Sequence, residues 1–252
     1  MTRDAGQMPE ELERAQRFAW DMESLYGDDL VSVVLYGSAA RGEYRRGASD
    51  LNVMVLVREL TPAALRRAGQ RARDWVAQGN PTPLMLSHDE WLRSADVFAI
   101  EVADMREAYH VLAGADPFAG ITVDPADLRL QCEKELKGKQ ILLREQYLLF
   151  AGEPAELGGL LVRSFSTFLV LFRTVLRLSG EAGVRDAEEV VLKVAARAGF
   201  NPGALLEVHR ARASGQPPRP TADSPLAVGY LDAVDRVVTY VDRLVREGGA
   251  QA

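Results

Sequence analysis

Cysteine, histidine and basic charge are all scarce in this chain of 252 residues, and each scarcity removes a class of function. The single thiol, Cys132, excludes an internal disulfide and a thiolate metal cluster; its place in a helical pattern marks it as a buried, inert side chain. His88, His110 and His209 fall in separate segments without ligand spacing, so no histidine metal site is expected. Lys and Arg number 30 against 36 Asp and Glu, a formal charge of -6. That balance argues against broad nucleic-acid binding, which needs a basic surface; the stretch RGEYRRG at 41–47 is a local exception. Long apolar runs are missing too. The most apolar segment, 157–178, is interrupted by Arg163, Arg173 and Arg177, and no membrane span is expected there. The opening MTRDAGQMPEELERAQ has no apolar core, so no secretory signal is read and a cytoplasmic protein is expected.

What is present fits a globular protein with enough chain for one large domain or two small ones. Residues 8–26 place Leu12, Ala15, Phe18, Ala19, Met22 and Leu25 at helical spacing, up to Gly27. LVSVVLYG reads as a buried strand stopped by glycine, and LNVMVLV as a central strand, apolar on both faces. A helix over 62–78 follows, with proline in its first turn. TPLMLS and VFAIEVADM read as two further strands around a short helical segment, HDEWLRS; MREAYHVLAG reads as a strand end or a short helix. From Pro125 onward only helical spacing remains, broken at AGEPAELGG, LSGEAGVRD, GFNPG and SGQPPRPTADSP, the last read as a surface connection. The expected fold is α+β: a mixed sheet flanked by helices over residues 1–122, then an all-α bundle of four to five helices over 123–252.

The stretch VVLYGSAARGEYRRGASDLNVMVLV, residues 33–57, carries the chemistry. Gly37 has no Cβ and lets a phosphate approach the backbone; Ser38 adds a hydroxyl and neighbouring N–H groups that favour anions. Asp50, at the head of the second strand, is a candidate Mg²⁺ ligand beside such a phosphate. Residues i and i+2 on a strand share a face, so a carboxylate at 52 would let two acids grip two ions; the residue there is Asn52.

LYGSAARGEYRRGASDLNVMV resembles the signature of the DNA polymerase β-like nucleotidyltransferase superfamily. In that signature a hydrophobic residue and Gly-Ser or Gly-Gly precede a later Asp, hydrophobic residue, and Asp or Glu. The flanks GSAARGE and SDLNV are most similar to the small bacterial branch of minimal nucleotidyltransferases and aminoglycoside adenylyltransferases. The resemblance implies transfer of an NMP group from an NTP to a hydroxyl of a small molecule or protein, with Mg²⁺ or Mn²⁺. It implies that Gly37 and Ser38 contact the triphosphate and Asp50 ligates the metal, with Asn52 in the second acid's place. An amide can ligate Mg²⁺, but it carries no charge and does not bridge two ions. Arg41 either neutralises phosphate or faces solvent. The family's third carboxylate comes from a later strand beside the pair. TPLMLS has none, so Glu101 within VFAIEVADM is the first candidate and Asp104 the second.

Two readings follow: an active transferase, or a catalytically degenerate relative that binds a nucleotide or a partner. The Arg-x4–6-His spacing of ribonuclease partners of minimal nucleotidyltransferases is not found: Arg106 and His110 are too close, and His209 in the helical half has no arginine in range. Lys134, Lys137, Lys139 and Arg144 in one helix, and Arg163, Arg173 and Arg177 in the next, read either as solvated faces or as groups closing a nucleotide cleft.

Overall fold

The computed structural model describes residues 10–42, 44 and 50–249. The chain divides into two compact units: residues up to Asp96 with Glu101–Thr122, and Val97–Ile100 with the chain from Val123 onward.

The first unit holds a four-stranded mixed sheet in the order β3-β2-β1-β4. Its strands are β1 (Leu30–Tyr36), β2 (Asn52–Val57), β3 (Leu84–Ser87) and β4 (Tyr109–Gly114). β1 runs antiparallel to β2 and β4, while β3 joins β2 in parallel, with Met54 opposite Leu84. Alternation decides what each face meets. Val33, Leu35, Leu51, Val53, Val55 and Val57 pack with α1 (Glu10–Tyr26) and α2 (Pro62–Ala77) into one core. The helical face expected of α1 is the buried one: Ala15, Phe18, Ala19 and Met22 line it, joined by Tyr26. Phe18 meets Trp75 of α2 at a ring-centroid distance of 4.9 Å, and the Tyr26 hydroxyl donates to the Ala64 carbonyl at 2.7 Å. α2 starts where Thr61 caps the Ala64 N–H and Pro62 takes the first turn. α3 (His88–Leu92) is entered through a capping box between Ser87 and Glu90.

One expected strand is a helix. VFAIEVADM from Ala99 onward lies in α4 (Ala99–Glu107), so Glu101 stands in a helical first turn and not within a strand. The alternation of apolar residues there coincides with helical spacing, because Ala99, Val102 and Ala103 are all buried at steps of three and four. Ala, Met, Glu and Arg are strong helix formers, and in so short an apolar run propensity prevails. MREAYHVLAG splits between the end of α4 and β4.

The second unit is built on α5 (Pro125–Phe150), α6 (Pro154–Leu178), α7 (Ala187–Ala198), α8 (Gly203–Ser214) and α9 (Pro225–Gly249). α6 is its core helix. By length and apolar content it would suffice to cross a membrane, yet 61% of its most apolar window is buried inside the protein. Expected breaks hold at 179–186 and 199–202, but AGEPAELGG is mostly helix, since α6 starts at Pro154 and runs through Gly158 and Gly159. The Pro-rich segment before α9 is packed and not merely a surface connection. Pro220 is buried, and the Pro218 carbonyl sits so close to Gly158 that a Cβ there would lie 1.7 Å from the oxygen. Glycine makes the notch that the loop fills. Accordingly, Gly158→Ala is expected to destabilise the protein by about 2 kcal/mol or more despite alanine's better helix propensity. Gly138→Ala on α5, where nothing lies within 4 Å, should stabilise it by about 0.5–1 kcal/mol, both read by chemical denaturation.

Candidate nucleotide site at the ends of β1 and β2

Antiparallel pairing brings the end of β1 to the start of β2, with Tyr36 opposite both Asn52 and Tyr109. Those three side chains therefore project from one face, opposite to the α1–α2 core. Leu51 is fully buried in that core, so Asp50 and Asn52 on either side of it face the other way, and Asp50 is exposed. Burial raises the Tyr36 phenol above its ordinary range, so Tyr36 is a neutral hydroxyl beside the site at pH 7.

Gly37 follows β1 with φ +81°, a conformation that other residues rarely adopt. The Asn52 amide lies over it: a Cβ at 37 would stand 3.1 Å from Asn52 Nδ2. The turn closes as the Arg41 N–H donates to the Gly37 carbonyl at 3.1 Å and the Gly42 N–H to the Ala39 carbonyl at 3.1 Å. The Ser38 and Ala39 N–H groups take no part in those two bonds.

Arg41 and Asp104 meet each other. Arg41 Nη2 donates to Asp104 Oδ2 at 2.9 Å, with side-chain exposures of 6% and 13%. Arg41 therefore does not face solvent; it ties the turn after β1 to α4. Arg41 Nε and Asp104 Oδ1 are buried and have no hydrogen-bond partner among the described residues. Glu101 lies one helical turn before Asp104 and is exposed. The rest of the basic stretch 41–47, apart from Gly42 and Tyr44, lies outside the described residues.

One contributor went unnoticed in the sequence. Asn80, buried at 7% exposure, accepts the Leu51 N–H at 3.3 Å and donates to the Trp75 carbonyl at 3.3 Å. It anchors the backbone between Asp50 and Asn52 to the end of α2. Its only sequence signal is an Asn before the Pro-Thr-Pro that precedes β3.

None of the four strands contains a carboxylate; Asp50 stands just before β2, and Glu107 two residues before β4 at the same end of the sheet. β3 pairs with β2 only from Met54 onward, and its approach is Pro81, Thr82 and Pro83. No group of three or more His, Cys, Asp or Glu able to hold a metal occurs among the described residues. Among the described residues, this end of the sheet offers the Asp50 carboxylate and the Asn52 amide, oxygen donors of the kind Mg²⁺ takes.

The expected basic faces of the helical unit are largely committed elsewhere. Lys137 pairs with Asp242 at 3.2 Å and Arg144 with Asp235 at 2.9 Å. Ten residues of helix rotate the side-chain direction by about 80°. Thus Arg163 is exposed while Arg173 is buried and donates to the Arg185 carbonyl at 2.8 Å.

Comparison with known proteins bears on the fold. Residues 16–102 match the family model of the nucleotidyltransferase domain. Over this part the chain is similar to the nucleotidyltransferase domain, the class that its Gly37–Asn52 motif resembles. Among solved structures the chain is similar to the spectinomycin adenyltransferase AAD(9) from Enterococcus faecialis, a crystal structure with ATP and spectinomycin. The TM-score is 0.57 at 12% identity, over 92% of this chain and 99% of that one, which shows a common fold. No match is found among curated proteins.

Two substitutions test the framework. Asn80→Ala leaves the Leu51 N–H buried without its acceptor and should cost about 1–3 kcal/mol in denaturant unfolding, whereas Asn80→Asp keeps the acceptor and costs less. Asp104→Ala leaves Arg41 buried without its counter-ion and should cost about 3 kcal/mol; pairing it with Arg41→Met should recover most of that loss.

Proposed function

We propose that the N-terminal unit binds a nucleoside triphosphate at the ends of β1 and β2 with one divalent ion, and that it is a degenerate nucleotidyltransferase whose main role is binding. The observation that carries this reading is the donor set: Asp50 is the acid at the head of β2, Asn52 holds the second acid's place, and Asp104 is taken by Arg41. Gly37 gives the triphosphate access to the backbone, and the Ser38 hydroxyl with the adjacent N–H groups receives phosphate oxygens. Asp50 and the Asn52 amide would hold Mg²⁺ or Mn²⁺, which supplies positive charge to the phosphates. With one carboxylate, activation of an attacking hydroxyl has no dedicated ion.

A second reading is transfer of an NMP group to a hydroxyl of a small molecule or protein. It is favoured by the nucleotidyltransferase-domain match and by the retained Gly37 approach. Glu101, exposed in the first turn of α4, is then the candidate base.

Calorimetry with ATP and GTP in Mg²⁺, Mn²⁺ or EDTA, alongside pyrophosphate release with candidate acceptors, separates the two. The binding reading expects saturable NTP binding, Mg²⁺-dependent affinity falling about tenfold in Asp50→Ala, and no pyrophosphate above background. Turnover that disappears in Asp50→Ala and Glu101→Gln would establish transfer instead. Failure of any NTP to bind would remove both.

A further inference from the structure

A pocket of about 260 Å³ opens in the helical unit between α5 and α6, with its own chemistry. Leu143 and Phe168, at 3% and 1% exposure, form an apolar floor. Around it stand Lys139 and Gln146 from α5, with Arg163 and Thr167 from α6. No carboxylate lines it. In a chain of net charge -6, this is a local concentration of positive charge on an apolar surface.

The two cations are available. Arg163 makes no ion pair among the described residues, and Gln146 and Thr167 make no hydrogen bond among them. Lys139 has Glu135 at 3.8 Å, an i,i+4 pair with both side chains about two-fifths exposed (41% and 38%), which is weak and solvent-screened. Arg163 is also placed by a specific feature. Its guanidinium lies back along α6 over Gly159, where a Cβ would stand 2.7 Å from Nη1.

We propose that this pocket binds an amphiphilic anion. One carboxylate, sulfonate or phosphate group is held by Lys139 and Arg163, with Gln146 and Thr167 as further polar partners. An aromatic or branched apolar body rests on Leu143 and Phe168. The volume, at the small end for ligand sites, suits a body of about one or two rings. The cationic lining disfavours polyamine-like ligands. The site is independent of the nucleotide reading, because every group belongs to α5 or α6.

Fluorescence titration of the full chain with anilinonaphthalene sulfonate, an aromatic anion, tests this at near-physiological salt. The expected result is a single saturable site weakened by added salt. Lys139→Gln and Arg163→Gln should each lower affinity about five- to tenfold, and the double variant should abolish saturable binding. Neutral phenylnaphthylamine should bind more weakly and be indifferent to both changes. Gly159→Ala should push the guanidinium aside and weaken the dye while leaving Tm unchanged or raised, because alanine favours helix. That separates a binding effect from a folding one. The proposal fails if the double variant, shown folded by its melting curve, binds the sulfonate as tightly as wild type. It also fails if ATP displaces the dye and Asp50→Ala abolishes its binding, because the dye would then occupy the nucleotide site.

Discussion

The close approach of Gly37 and Asn52 is the constraint on which the site depends. Pairing of β1 with β2 brings the two strand ends together, and the absent side chain at 37 leaves room for the Asn52 amide directly over the backbone. With φ at +81°, position 37 rejects other residues for conformational reasons as well as steric ones. One register therefore fixes three things together: the backbone where a phosphate can approach, the face on which Asp50 and Asn52 stand, and the start of the turn that ends at Gly42. A one-residue slip of β2 would turn Asp50 and Asn52 toward the α1–α2 core and expose Leu51. The burial of Leu51 in that core and the pairing of β2 with both β1 and β3 oppose it.

Two polar devices hold this geometry from outside the strands. Asn80 joins the Leu51 backbone to the end of α2, and the Arg41–Asp104 pair joins the turn after β1 to α4. The second is the more costly, because two charges with little exposure each leave one polar atom without a partner. Such a pair restricts the turn to one arrangement more than it stabilises the fold. It also removes from the turn the cation best placed, by sequence, to meet phosphate.

Much of the first unit was legible because its signals are local and strong. β1 and β2 are short, β-branched and bounded by Gly37 and Asp50; α2 announces itself with Thr61 and Pro62. The helical half was equally plain from its spacing. What stayed hidden depended on contacts distant in sequence. VFAIEVADM has apolar residues on both a strand and a helix template, and only the burial of Ala99, Val102 and Ala103 decides between them. Nothing around Asn80 tells that its side chain reaches the Leu51 backbone. Arg163, Arg173 and Arg177 share nominal spacing, yet the bundle edge falls between the first two, leaving one exposed and one buried.

The amide at 52 affects metal and nucleotide in opposite directions. A carboxylate there would strengthen the hold on a divalent ion, but it would also add a negative charge beside the phosphates. At about 5 Å and an effective dielectric near 20, one unit charge changes the interaction with another by about 3 kcal/mol, before screening. With Asn52, a bare ion is held less well while a triphosphate is repelled less. Since Arg41 is bound to Asp104, its guanidinium is already committed to a carboxylate. The proposed site would on these grounds take up a nucleotide together with its own cation more readily than it would prepare a free two-ion centre. That asymmetry is why the proposed reading puts binding ahead of transfer, even in a fold shared with an adenyltransferase.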